Sequence, residues 1–151
     1  MFSMSGKPRI IGLDVGDKRI GIAISDPLQY TAAGLETIRR YNMDRDVRAI
    51  VEIASRHGAM TIVIGLPLNM DGTSGEQAEK VKSFGRKLAR QMDVPIIYED
   101  ERLSTISAIR TLTLQKVKTG KNRELVDMQA AAIILQRFLD RNGRDDEPPS
   151  A

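Results

Sequence analysis

The chain has 151 residues, 41% hydrophobic and 28% charged, with 12 Gly and 6 Pro; this is about one globular domain, and the composition excludes a disordered or fibrous chain. The absence of cysteine and the single histidine, His57, exclude disulfides, thiolate zinc sites, iron–sulfur clusters, a cysteine nucleophile and a multi-histidine metal site, so any metal must be held by oxygen ligands, which suit magnesium, manganese or calcium. The net charge of +3 is a mild basic bias, compatible with a polyanionic partner but too small to demand one.

Residues 1–8 lack the apolar core of a signal peptide, and no apolar run approaches the roughly 20 residues of a membrane span, so the expectation is a cytoplasmic protein with no membrane partner. Arg9-Ile-Ile-Gly-Leu-Asp-Val15 is a short apolar run with β-branched residues, as in a buried strand. After Gly16-Asp17-Lys18, the residues Ile20, Ile22 and Ile24 alternate with Gly21 and Ala23. That is strand period with bulky groups on one face and small ones on the other, and so short a connection implies an antiparallel hairpin. A weaker third strand falls at Leu35–Arg39. A helix capped by Asn42 or Asp44 runs to His57, with Val47, Ile50, Val51 and Ala54 inward and Gly58 as its stop.

Thr61–Gly65 reads as a buried strand. Thr73 and Glu76 then have capping-box spacing ahead of a helix with Ala78, Val81, Phe84, Leu88 and Met92 inward. Pro95–Glu99 is a strand and Ser104–Leu114 a helix. A basic stretch follows, and the last helix runs from about Leu125 to Leu139, ended by Asn142 and Gly143. The order β β β α β α β α α gives an α/β fold: a mixed sheet, antiparallel and hairpin-led and then parallel, with helices on both faces. One domain spans 9–140, between flexible termini at 1–8 and 141–151. Met43, Met60, Met92 and Met128 read as core filler, and His57 as a helix-end residue.

Three acidic positions carry the chemistry. Asp14 ends a strand in the sheet interior, where an ionised carboxylate needs a cationic partner; alone, it is equally explained as the first residue of a turn. Asp100 and Glu101 end another strand and alone are explained as the start of a helix. Asp127 lies in the first turn of the last helix, where dipole effects account for it cheaply. Taken together, three carboxylates meeting at the ends of neighbouring strands would repel one another unless cations bound between them, and such clusters hold the paired ions that cut phosphodiesters. The glycine spacing misses the dinucleotide fingerprint, and no GxxxxGK[ST] occurs.

Asp14-Val-Gly-Asp-Lys-Arg-Ile-Gly-Ile-Ala-Ile-Ser-Asp26, Gly65-Leu-Pro-Leu-Asn-Met-Asp-Gly72, Asp100-Glu-Arg-Leu-Ser-Thr105 and Asp127-Met-Gln-Ala-Ala131 fall in the order and spacing of the YqgF/RuvX family, which the chain resembles from about Arg9 to Leu139. The resemblance implies a ribonuclease H-like fold related to the junction resolvase RuvC. It also implies a divalent-metal endonuclease, with Mg2+ or Mn2+ as cofactor and Asp14, Glu101 and Asp127 as the metal-binding and catalytic acids.

Its substrate would be nucleic acid: the precursor of 16S ribosomal RNA, matured at its 5′ end, or a Holliday junction, whose paired incisions would call for a homodimer. Resolvases of this kind often carry two acids on the last helix; here the turn after Asp127 reads Met-Gln-Ala-Ala, which leaves Glu124 or Asp100 as reserve ligands. Lys18, Arg19 and Arg102, beside the acids, and Lys116, Lys118, Lys121 and Arg123, in the basic stretch leading to Asp127, form the expected substrate surface. The competing readings are a non-catalytic nucleic-acid-binding factor in transcription or ribosome assembly, and a nucleotide-binding relative of the actin and sugar-kinase folds. The second of these would need another lobe.

Overall fold

A computed structural model describes residues 8–102, Ile106 and 120–146, with side chains of the last helix over 122–142. The expected helix at Ser104–Leu114 and the positions Lys116 and Lys118 lie outside the described residues, apart from Ile106, which is helical and buried. The described elements are β1 (Arg9–Val15), β2 (Arg19–Ser25), β3 (Ala32–Arg39), α1 (Met43–Arg56), β4 (Ala59–Leu66), α2 (Glu76–Gln91), β5 (Ile96–Asp100) and α3 (Gly120–Asp146). The five strands form one sheet in the order β3-β2-β1-β4-β5. β1 pairs antiparallel with β2, and β2 with β3, while β4 runs parallel to both β1 and β5. This is the topology that tight hairpins followed by helical crossovers must produce.

The alternation in β1 and β2 divides the protein into two cores. Ile11, Leu13, Val15, Ile20, Ile22 and Ile24 face α1 and α2, packing on Val47, Ile50, Val81, Phe84 and Leu88. On the other face, Ile10, Ala23 and Val63 meet Ala130, Ala131, Ile134, Leu135 and Phe138 of α3. Burying each large aliphatic or aromatic side chain in this way stabilises the fold by roughly 1.5–3 kcal/mol. The second face is paved with small residues so that α3 can lie close to the sheet. A Cβ at Gly12 would come within 2.8 Å of the Leu135 Cβ, and one at Gly21 would collide with the backbone carbonyl of Asp127.

Several local features depart from the sequence expectation. α1 is capped by Asn42, whose side chain accepts from the Arg45 amide at 2.9 Å, and it ends at His57 and Gly58, the latter at φ +66°. α2, in contrast, starts at Gly75 with no side-chain cap. The expected Thr73–Glu76 box does not form because Thr73 is taken up locally: its amide and hydroxyl both donate to Asp71, at 2.9 and 2.6 Å. Met60 is 55% exposed rather than core. β3 begins three residues before Leu35, and α3 runs well past both expected ends, through Asn142 and Gly143 to Asp146. The C-terminal extension of α3 is anchored by Arg141, which donates to both oxygens of the buried Glu99 at 2.8 and 2.5 Å.

Candidate active site

Strand register places the acids. Asp14 alternates with Leu13 and Val15, so it shares the α3 face with Ile10 and Gly12. Its cross-strand partner on β2 is Gly21, on which the Asp127 backbone of α3 rests. On the opposite side, one step beyond the Leu13–Ile64 pair, lies Gly65 of β4, where an added Cβ would stand 2.8 Å from the Glu101 Oε2. Glu101 follows β5 directly and is tied back to β4 by its amide, which donates to the Leu66 carbonyl at 3.1 Å. Asp14 thus sits between two glycines, with Asp127 above one and Glu101 above the other.

All three acids line one cleft of about 230 Å³, together with Asp17, Arg19, Pro67 and Gln77. Asp14 and Glu101 are buried, at 8% and 5% exposure. Asp127 is part-exposed and its Oδ2 accepts from the Arg19 Nε at 2.6 Å. The donor set is entirely oxygen, which fits a hard divalent cation such as Mg2+ or Mn2+ and no softer metal. Among the described residues no three acidic or histidine side chains are close enough together to hold an ion as they stand. The third carboxylate is at present neutralised by Arg19 instead.

The remaining expected site residues distribute unequally. Lys18 and Arg19 lie at the β1–β2 turn, with Arg19 on the wall of the acidic cleft. Arg102 turns away from the cleft: it forms a fork onto Asp100, Nε to Oδ2 and Nη2 to Oδ2 at 2.9 and 2.8 Å, and reaches the Met70 carbonyl. The Arg102 guanidinium holds the Asp100 carboxyl below the usual carboxylate range. Asp100 is therefore committed to that pair. Glu124 does not line the cleft, and its carbonyl accepts from Thr37 Oγ1 at 2.7 Å, tying β3 to α3. Arg123 lies one helical turn before Asp127, on the wall of an adjoining basic groove, and Lys121 belongs to the first turn of α3.

Residues that sequence reasoning missed are Asp17, Pro67 and Gln77 in the acidic cleft and Arg39, Arg40 and Tyr41 in the groove beside it. A signal existed for the last three, since an Arg-Arg-Tyr run closing a strand beside a hairpin that carries Lys18 and Arg19 concentrates charge at one sheet end.

Residues 8–141 match the family model RuvX, described as Holliday junction resolvase. The chain belongs to the RuvX family. Among relatives of RuvX type, a protein of Gloeobacter violaceus is 53% identical over 131 residues, covering 87% of this chain and 83% of its own. One of Desulforamulus reducens is 47% identical over 136 residues, covering 90% and 99%. Both bear the name "Putative pre-16S rRNA nuclease".

Among solved structures, Thermus thermophilus RuvC in complex with Holliday junction substrate superposes with a TM-score of 0.57 at 13% identity, covering 91% of this chain and 96% of that one. The yeast mitochondrial Holliday junction resolvase does so with 0.57 at 10% identity, covering 94% and 82%. These similarities establish the RuvC-like, ribonuclease H-type fold of this RuvX protein. No helix among the described residues is long and apolar enough to cross a membrane.

Proposed function

We propose that this RuvX protein is a divalent-metal-dependent endonuclease that hydrolyses phosphodiesters of structured nucleic acid, and that its substrate is the 5′ end of pre-16S ribosomal RNA in the cytoplasm. The observation that carries the reading is the row of Glu101, Asp14 and Asp127 in one cleft, delivered by three different elements over two glycines. A fold gains nothing in stability from lining one cleft with three carboxylates, so the arrangement points to a bound cation. The names of the relatives from Gloeobacter and Desulforamulus supply the RNA.

In this mechanism Asp14, Glu101 and Asp127 hold the divalent ion. When bound, it supplies an activated water and charge stabilisation for the leaving oxygen. The protein's own groups do the rest. Strand pairing fixes the main chain at Asp14 and the Leu66 carbonyl fixes it at Glu101, so both acids reach the cleft from held backbone positions. Arg19 releases Asp127 and turns its planar fork to the scissile phosphate, for which guanidinium geometry is matched. Lys18, on the same turn, adds a point charge to the phosphate on one side.

The test offers the purified protein a 5′-extended 16S precursor RNA and a synthetic four-way junction, each in Mg2+, Mn2+ and EDTA, beside Asp14→Asn. Expected is metal-dependent cutting in the 5′ flank, leaving 5′-phosphate and 3′-hydroxyl ends, with none by the variant. Equal cutting by Asp14→Asn would remove the cleft from the chemistry, and salt-dependent binding without turnover by the native protein would make it a binding factor. The RuvX family description favours a second reading, junction resolution; symmetric paired incisions in the junction arm would establish it.

A further inference from the structure

Beside the acidic cleft, and sharing Asp17 and Arg19 with it, runs a second groove of about 510 Å³, lined also by Lys18, Arg39, Arg40, Tyr41 and Arg123. Its charges are not equally answered. Arg19 is paired with Asp127 at 2.6 Å, and Arg40 with the buried Asp46 at 2.8 Å. Asp17, the groove's single carboxylate, is drawn to Lys80 at 3.4 Å. Among the described residues Lys18, Arg39 and Arg123 take part in no ion pair, and the Nε of Arg123 is buried without a hydrogen-bond partner.

The backbone holds these cations together against their own repulsion. Arg19 and Arg39 are direct cross-strand partners, a placement of like charges that destabilises a strand pair. Arg40 fixes the wall. Its Nη1 donates to the Gly16 carbonyl at 2.8 Å and its amide to the Lys18 carbonyl at 2.9 Å, which clamps the turn that separates the two clefts. Next along, Tyr41 is 74% exposed, with its amide donating to Asp46 at 2.9 Å and the Arg45 guanidinium 4.7 Å from its ring centroid. A rule of sheet pairing broken beside a buried donor, the Arg123 Nε, that lacks an acceptor indicates a site completed by an anion.

We infer that this groove binds the phosphodiester backbone of an unpaired strand flanking the scissile linkage, with Lys18, Arg39 and Arg123 on its phosphates and Tyr41 stacked on a base. The inference rests on the nuclease reading of the neighbouring cleft, because the shared Arg19 and Asp17 make the groove a continuation of that site. An isolated phosphate would not use an exposed aromatic ring. A single strand does, since every base offers a π-face to stack while its phosphates follow the cations.

Binding in EDTA separates the groove from the chemistry. Fluorescence anisotropy would follow a labelled RNA hairpin carrying an unpaired 5′ flank, and the same hairpin with a blunt end, against salt. The native protein is expected to bind the flanked RNA at least about tenfold more tightly. Arg39→Glu should weaken that binding by about tenfold or more and flatten the slope of log affinity on log salt by about one contact. Arg90→Glu, an equal charge change on exposed α2 surface, should leave both unchanged. Tyr41→Ala should remove the preference for the flanked RNA, and Tyr41→Phe should restore it.

Equal binding of blunt and flanked RNA by the native protein, no binding of either, or native-like affinity of Arg39→Glu would each overturn the groove. Those results leave the cleavage reading standing if Asp14→Asn is still inactive. Loss of binding in Arg39→Glu together with full cutting by Asp14→Asn would retain the groove and discard the cleft.

Discussion

A methyl group at position 21 would have to occupy the space of the Asp127 carbonyl. Gly21→Ala must therefore lift α3 from the sheet at Asp127 or bend β2, at an overpacking cost of about 1–3 kcal/mol. In either case the carboxylate moves relative to Asp14 across the strand pair. We expect urea denaturation to show that loss, and cleavage to fall by about 100-fold, since displacements near 1 Å at a reacting centre have that effect. Gly34→Ala is the milder comparison on the same helix, because its Cβ would stand 3.0 Å from the Met128 Cβ, a tight contact relieved by a shift of a few tenths of an ångström rather than an overlap with a backbone carbonyl. Equal losses from the two variants would show that the helix does not depend on the close approach at Gly21.

The placement of Asp14 was legible in the sequence because alternation fixes which face a strand residue takes: Asp14 had to lie with Gly12, opposite Leu13. What faced it was not legible. The Arg102–Asp100 fork is a contact between residues two apart, and whether such a side chain turns to its neighbour or to a cleft is decided by surroundings that the string does not contain.

Among the described helices, α3 is the one whose extent sequence periodicity misjudged, and its end is held by electrostatics rather than by apolar pattern. Glu99 is 2% exposed on β5 and receives Arg141, with Arg137 at 3.6 Å. Because the Arg141 guanidinium is about half exposed, solvent screens the pair, and Arg141→Ala is expected to cost about 1–3 kcal/mol rather than the full loss of a buried pair. The measurement is urea denaturation, and a change below 0.5 kcal/mol, the ordinary range for a surface substitution, would show that Arg137 alone suffices for Glu99.

The β2–β3 turn makes a different prediction. Asp26 accepts from the Thr31 and Tyr30 amides at 2.9 and 2.6 Å, and the hydrogen bond from Thr31, foremost, holds its carboxyl below the ordinary carboxylate range. A carboxyl with a lowered folded pKa contributes stability above its unfolded value near 3.8 and loses it as pH falls through the folded value. Asp26→Ala should therefore melt a few degrees below the native protein at pH 6, and the gap should narrow on acidification below about pH 4. A gap that stays constant to pH 2 would mean that the charge is irrelevant to the turn.

The pairing across the basic groove was hidden from the sequence for a related reason. The register of β2 on β3 shifts between Ile22 and Ala23, and this bulge sets which residue of the Arg39-Arg40-Tyr41 run faces Arg19. Alternation predicts faces but not bulges, and one extra residue changes every partner beyond it.

At the scale of the whole molecule, the two cores divide labour. The α1–α2 side is an apolar layer, while the α3 side carries Asp14, Glu101 and Asp127 and the ion pairs of Glu99 and Asp127. Divalent cation binding at the cleft, as proposed, would draw on groups from β1, from the residue after β5 and from α3, so it would be linked to the folding of all of these elements and not to one segment. A ligand that binds only the folded state stabilises it by about 2.7 kcal/mol at 100 times its dissociation constant, which for a chain of this length is a rise in Tm of about 5–10 °C.

Mn2+ titrated into the native protein should therefore raise Tm with saturation, and EDTA should reverse the rise. In Asp14→Asn the rise should be absent, although the variant folds, because one of the two buried donors is gone. A Tm increase of equal size in both proteins would assign the ion to surface carboxylates elsewhere. No increase in either would mean that the Arg19–Asp127 pair does not give way to a metal without substrate, and the titration repeated with RNA bound would then have to supply the shift.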